Sequence, residues 1–306
     1  MIYGDWLIPP IVRQYRAIAV DFPCDCGKSR PPNGDPGKCP QTEDELALWA
    51  YQVIATLHEN NQQKVAVLGY SYGAFVAVVV AEKYPDMIDK VLAIAPAAVF
   101  APVERGWILR ALAYALTGRT MAALNWFLRS MSTDPNFNVV TSQTPQNFEM
   151  TNATRILGAT VLAVNPDQFA VERLQAIHDK TKVAVLLIGQ NETVTNSTRA
   201  IEHASNSGWE TRVYPNAGHL MLMEEPTRTN LAQDVANILL ANVATTTPSD
   251  ENEFKQEQEH ADKEHGESAT AAVNEGEDKQ EGADTGTKSS EEHIGGSTEE
   301  VTAEAS

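Results

Sequence analysis

The sequence has no apolar run long enough to cross a membrane. Its longest, Ala74 to Ala81, falls far short of the ~20 residues a bilayer core requires, so no membrane span is expected. The opening stretch, "MIYGDWLIPPIVRQYR", has neither a basic leading segment nor a small-residue cleavage site, and no secretion signal is read there. Cysteine is scarce. Cys24, Cys26 and Cys39 are the only three, confined to one stretch. An odd number so placed argues against a disulfide framework and for free thiols in a reducing, cytoplasmic setting. No histidine stands among them, so a zinc site would want a fourth ligand. "CGKS" at Cys26–Ser29 ends like a phosphate-binding loop, but that motif needs a glycine where Phe22 stands, five residues before the Gly-Lys pair. Neither a metal nor a cofactor is expected.

Basic residues are also few. The chain of 306 residues carries a formal charge of −18, which offers no electrostatic footprint for a phosphate backbone, and no nucleic-acid partner is expected. The acidity is not evenly spread. Residues 248–306 hold 18 Asp/Glu against 4 Lys, a net of −14, which leaves only −4 for residues 1–247. That tail shows no period of 2 or 3.6 in its scattered apolar residues. It cannot bury enough surface to offset the entropy of ordering it, so residues 247–306 read as a disordered acidic tail, either a solvating appendage or a docking element for a basic partner.

From residue 16 to 240, apolar β-type runs alternate with helical patterns, the signature of a parallel sheet covered on both faces. Strands are expected at Tyr15–Phe22, Lys64–Gly69, Lys90–Ala95, Lys182–Gly189 and Glu210–Asn216. Thr42 with Glu45 three residues on forms a capping box at the head of a helix. Further helices are expected over Tyr72–Tyr84 and Glu225–Asn242. The interval 100–181 breaks the rhythm with two helical patterns, "WILRALAYAL" and "MAALNWFLRSM". It reads as an insertion over the sheet, larger than an ordinary connection and of the kind that forms a lid. Trp107, Tyr114, Trp126 and Phe127 in it would either pack the lid's own core or line a substrate pocket.

One pentapeptide carries chemistry. Gly69-Tyr70-Ser71-Tyr72-Gly73 fits G-x-S-x-G and stands between an expected strand and an expected helix, where that motif works. Such a turn puts Ser71 in a strained backbone at the carboxyl edge of the sheet, with small residues at both glycine positions allowing strand and helix to approach. The N–H of Tyr72, at the helix N-terminus, then faces a developing oxyanion. A serine nucleophile needs a base. Outside the tail there are four histidines, His58, His178, His203 and His219. Only His219 follows a strand, in "VYPNAGHLMLMEEP", and so lies at the same edge as Ser71. The base needs an acid to hold its tautomer. Glu192 is the only carboxylate in the turn "GQNETVT" after the preceding strand. Asn191-Glu192-Thr193 is also a glycosylation sequon, and a glycan there would obstruct the site.

The order Ser71, Glu192, His219, with the elbow itself, resembles the α/β-hydrolase superfamily, from about Trp6 to Asn242. "YRAIAVDFPCDCGKS" resembles the superfamily's D-x-P-G-x-G-x-S loop, with Cys24 where glycine is usual. "NAGHLMLMEEPTRTN" resembles its histidine loop and final helix. The likeness is nearest to lid-bearing carboxylesterases. It implies a serine hydrolase of small carboxylic esters, working through an acyl-enzyme formed on Ser71. The pattern departs from the family at its start. Three strands normally precede the one placed at Tyr15–Phe22, and the third leads into a His-Gly loop that supplies a second oxyanion donor. The chain therefore reads as N-terminally truncated. Three explanations stand: a fragment or mis-started gene, direct pairing of the flanking strands, or a catalytically impaired binding protein on a hydrolase scaffold.

Overall fold

A computed structural model describes residues 16–22, 39–57, 64–117, 120–141 and 164–241. All belong to the first of two units, Met1–Ala244; the second, Thr245–Ser306, with the acidic tail, lies outside the described residues. Among the described residues four strands form one sheet: β1 (Val65–Tyr70), β2 (Ile88–Ile94), β3 (Val183–Gly189) and β4 (Glu210–Tyr214). They are hydrogen-bonded in that order, and every neighbouring pair is parallel. Among the described residues there are seven α-helices: α1 (Glu43–Leu57), α2 (Tyr72–Lys83), α3 (Arg105–Leu116), α4 (Met121–Arg129), α5 (Val171–Lys180), α6 (Ser197–Asn206) and α7 (Thr227–Leu240).

The near-continuous apolar runs of β2 and β3 follow from burial on both faces. Side chains alternate across a strand. Val91 and Ala93 of β2, with Leu186 and Ile188 of β3, join one core with residues of α1, α2, α5 and α6. Leu92, Ile94, Val185 and Leu187 join the opposite core under α7, against Leu231, Val235 and Ile238. Lys90 is the buried exception in β2. Its ammonium donates to the carbonyls of Ile238 and Leu239, where the negative end of α7 offsets part of the cost of burial. Burial still pulls its pKa below the ordinary lysine value.

Helix α1 starts as its capping residues require. Glu45 N–H donates to Thr42 Oγ1 at 3.2 Å, and the Glu45 carboxylate reaches back to Gln41 N–H at 2.7 Å. Arg173 on α5 clamps three helices together by pairing with Glu43 of α1 and Glu82 of α2, with its guanidinium 3.7 Å from the Phe169 ring centroid. Among the described residues no helix is long and apolar enough to cross a membrane.

Two expectations are corrected. Tyr15–Phe22 was to be a strand, but residues 16–22 are irregular and pair with no strand among the described residues. Ile18 and Val20 are about half exposed, at 46% and 49%. β-propensity produces a strand only where a neighbouring backbone completes the ladder. What fixes the segment's end is Phe22, edge-on to Trp49 and Tyr72 at 5.4 and 6.0 Å. The second correction concerns Cys39, expected as a free thiol. It is disulfide-bonded and buried, with its partner outside the described residues, so the cysteines do not argue for a reducing compartment.

Candidate active site

Strand β1 delivers its last residues directly into helix α2, and Ser71 is the joint. Its backbone sits at φ 53°, ψ −116°, a conformation that costs a residue with a Cβ of order 1–3 kcal/mol. Hydrogen bonds hold it there. Ser71 N–H donates to Ile94 O at 2.9 Å, and Ser71 O accepts from Ala97 N–H at 3.1 Å as well as from the first turn of α2. The two glycines of the pentapeptide are not equivalent. A Cβ on Gly69 would stand 2.0 Å from the carbonyl oxygen of Gly73, whereas one on Gly73 would meet nothing within 4 Å. The close approach of strand and helix therefore depends on Gly69, and the packing reason expected for both applies to one. Gly69→Ala is expected to destabilise by about 3 kcal/mol or more, since rigid backbone must move. Gly73→Ala should change stability by no more than ~0.5 kcal/mol. Chemical denaturation of the two variants checks the contrast.

His219 lies in the turn between β4 and α7, and Glu192 in the turn after β3, so both stand with Ser71 at the carboxyl edge of the sheet. The three side chains meet. His219 Nε2 is 3.0 Å from Ser71 Oγ, and His219 Nδ1 is 2.9 Å from Glu192 Oε2 and 3.0 Å from Oε1. Both His219 and Glu192 are buried. Glu192 Oε1 also accepts the backbone N–H groups of Thr193 and Val194 at 2.8 and 2.7 Å. That fixes the carboxylate before the histidine arrives. Gly189, three residues earlier, allows the turn, because a Cβ there would fall 2.4 Å from Ala217 O. Tyr72 N–H, the first of α2, has no acceptor within its own helix. The Tyr72 phenol donates to Val164 O at 3.1 Å, and burial pushes its pKa up to about 12.

The two other described histidines are engaged elsewhere. His203 Nε2 is 2.7 Å from Phe169 O, and His178 faces Asp179; His58 lies outside the described residues. Among the described residues no three His, Cys, Asp or Glu side chains are grouped to hold a metal ion. Of the four aromatics singled out in the insertion, three pack on one another. Trp107 lies 5.9 Å from Phe127, and Tyr114 stacks on Phe127 at 5.3 Å. Trp107 also donates its indole N–H to Met131 Sδ at 3.0 Å. Trp126 is 49% exposed.

Residues 3–232 match the sequence profile of the Alpha/beta hydrolase family. The chain belongs to that family. A curated relative of this hydrolase, the uncharacterized carboxylesterase nap of Bacillus subtilis (strain 168), is 25% identical over 220 residues, 71% of this chain and 68% of its own. The same fold recurs in the crystal structure of naproxen esterase from Bacillus subtilis, with a TM-score of 0.61 and 23% identity over 75% of this chain and 77% of that one. It recurs again in a meta-cleavage product hydrolase from Pseudomonas fluorescens IP01, at a TM-score of 0.57 and 14% identity over 78% and 84% of the two chains.

Two sets of contacts in the hydrolase were not legible beforehand. The hydroxyl of Tyr70, within the pentapeptide itself, donates to the carbonyl of His219 at 2.7 Å, and the two rings lie 5.4 Å apart. Glu224 binds Ser132 and Thr133. Nothing in the local sequence marks either pairing, because the partners are separated by more than ninety residues. The helical segment after β2 is tied to both of the turns that carry Glu192 and His219. Val103 bridges Thr195, Glu104 N–H donates to Val194 O at 2.8 Å, and Met131, Phe137 and Val139 share a small core with Val194 and Leu220.

Proposed function

We propose that this α/β-hydrolase cleaves small carboxylic esters by nucleophilic catalysis, with Ser71 as nucleophile, His219 as base and Glu192 as the acid that orients it. The observation that carries the reading is the unbroken chain of contacts Glu192–His219–Ser71, at 2.9 and 3.0 Å. Ser71 Oγ attacks the ester carbonyl carbon while His219 Nε2 takes its proton. The carbonyl oxygen gathers negative charge and is met by Tyr72 N–H. When the tetrahedral species collapses, the C–O bond to the alcohol breaks, and His219 returns the proton to the departing oxygen. Water, deprotonated by the same imidazole, then attacks the acyl-enzyme and releases the carboxylic acid and free Ser71. Glu192 keeps Nδ1 protonated throughout, so that Nε2 is the acceptor. The insertion 100–181 is read as the lid; for its first part, the packing of α3 and α4 residues with Val194 and Leu220, close in sequence to Glu192 and His219, supports that reading. Similarity to a carboxylesterase supports esters over other acyl substrates.

A p-nitrophenyl ester of a short acid should give a pre-steady-state burst of nitrophenol, the mark of acyl-enzyme accumulation. A fluorophosphonate probe should attach to the peptide containing Ser71. A folded sample showing neither burst nor label would overturn the proposal.

A further inference from the structure

Glu224 is buried, with 8% of its surface exposed, and no step above uses it. A carboxylate out of water is costly unless donors surround it, and donors do. Glu224 Oε1 accepts Thr133 N–H at 3.0 Å and the Ser132 hydroxyl, and Oε2 lies 3.0 Å from Thr133 Oγ1. The same Thr133 hydroxyl is 2.6 Å from Asn216 O. Between these points Leu220 N–H donates to Met131 O at 3.3 Å, and Gly218 passes so close that a Cβ on it would sit 2.6 Å from that oxygen. Residues 131–133 therefore grip the turn 216–224 at its start, its middle and its end, and His219 is in the middle. Tyr70, donating to His219 O, holds the turn from the strand side. Asn216, at φ 57°, is the strained residue this grip has to keep in place.

We infer that Glu224 is a positioning residue for His219. It locks the end of the base's turn to the segment following α4, and so couples the placement of the helical insertion to the placement of the imidazole. The inference rests on the triad reading above. Its consequence is geometric. If the turn loosens, Nε2 drifts from Ser71 Oγ while Ser71 and Glu192 stay fixed by their own backbone contacts. A drift of about 1 Å is enough for a loss on the order of 100-fold.

The test compares Glu224→Ala with Glu224→Gln in the full chain, with rates normalised to titratable active sites. Glu224→Ala should lower kcat by roughly 10- to 100-fold with little change in KM. It should slow fluorophosphonate inactivation in proportion and shift or broaden the low-field Nδ1 proton resonance of His219. Glu224→Gln still offers an oxygen to Ser132 and Thr133 N–H and should restore most of the rate and the resonance. Where Glu224→Ala does not fold, the double variant Ser132→Ala/Thr133→Val removes the hydroxyl contacts from the other side and should move the same readouts in the same direction. Normal kcat per site and an unmoved His219 resonance, in whichever of these folds, would overturn the inference. If the wild type neither turns over nor labels, yet the variants still displace the resonance, the hydrolase reading falls and the positioning role stands.

Discussion

Ser71→Ala is expected to lower ester turnover by roughly 10⁶-fold and to abolish fluorophosphonate labelling, with stability changed by no more than about 1 kcal/mol. The loss is so large because no other group can take the role. In the proposed mechanism the oxygen that attacks is the one 3.0 Å from His219 Nε2, and alanine leaves the imidazole with nothing to deprotonate but water. The small stability change follows from what alanine keeps. It still carries a Cβ through φ 53°, ψ −116°, and it forfeits only a partly buried hydroxyl contact, worth about 1 kcal/mol. Ser71→Gly separates the two effects. Glycine enters that backbone region without steric cost, so the variant should be as inactive as alanine yet more stable by about 1–3 kcal/mol. Turnover measured beside the denaturation midpoint distinguishes the pair. Equal stability of the glycine and alanine variants would mean the elbow stores no strain, and residual labelling of either would remove Ser71 as the nucleophile.

The elbow was readable because every constraint on it is local. A β-branched strand, a glycine that clears the helix and a helix starting one residue after the serine lie within ten residues of each other. The positions of His219 and Glu192 were readable for a related reason: strand order in a parallel sheet brings the turns after consecutive strands to one edge. What failed was what needs a distant partner. Tyr15–Phe22 has the composition of a strand, but a ladder takes two backbones, and only one of them is in that sequence window. The pairing of Cys39 is set by the fold around it, and spacing alone does not encode it. The two glycines of the motif look alike in sequence, yet only Gly69 faces a backbone atom. Glu224 stands beside Glu225 with the same chemistry. One carboxylate is buried against Ser132 and Thr133, while the other pairs at the surface with Arg228. Only the position of the segment after α4 tells them apart.

Glu192→Gln is expected to cost roughly 10⁴-fold in kcat/KM, although it changes one atom and keeps the shape of the side chain. The reason lies in the two backbone donors. Thr193 N–H and Val194 N–H both point at Oε1, at 2.8 and 2.7 Å, and each needs an acceptor in a buried site. A glutamine must therefore turn its oxygen toward them, which leaves its NH₂ against His219 Nδ1. An NH₂ donates to that nitrogen and so drives the ring's proton onto Nε2, the atom proposed to accept the serine proton. The imidazole then stands where it stood, holding the wrong tautomer. Glu192→Asp is a different case. It keeps the charge but is one methylene shorter, so it cannot reach both the backbone donors and Nδ1, and its loss should be smaller than that of glutamine. Rates of fluorophosphonate inactivation order the three proteins without depending on the substrate chosen. If the glutamine variant reacted within about tenfold of wild type, Glu192 would not be setting the tautomer of His219, and the acid of the triad would have to be sought elsewhere.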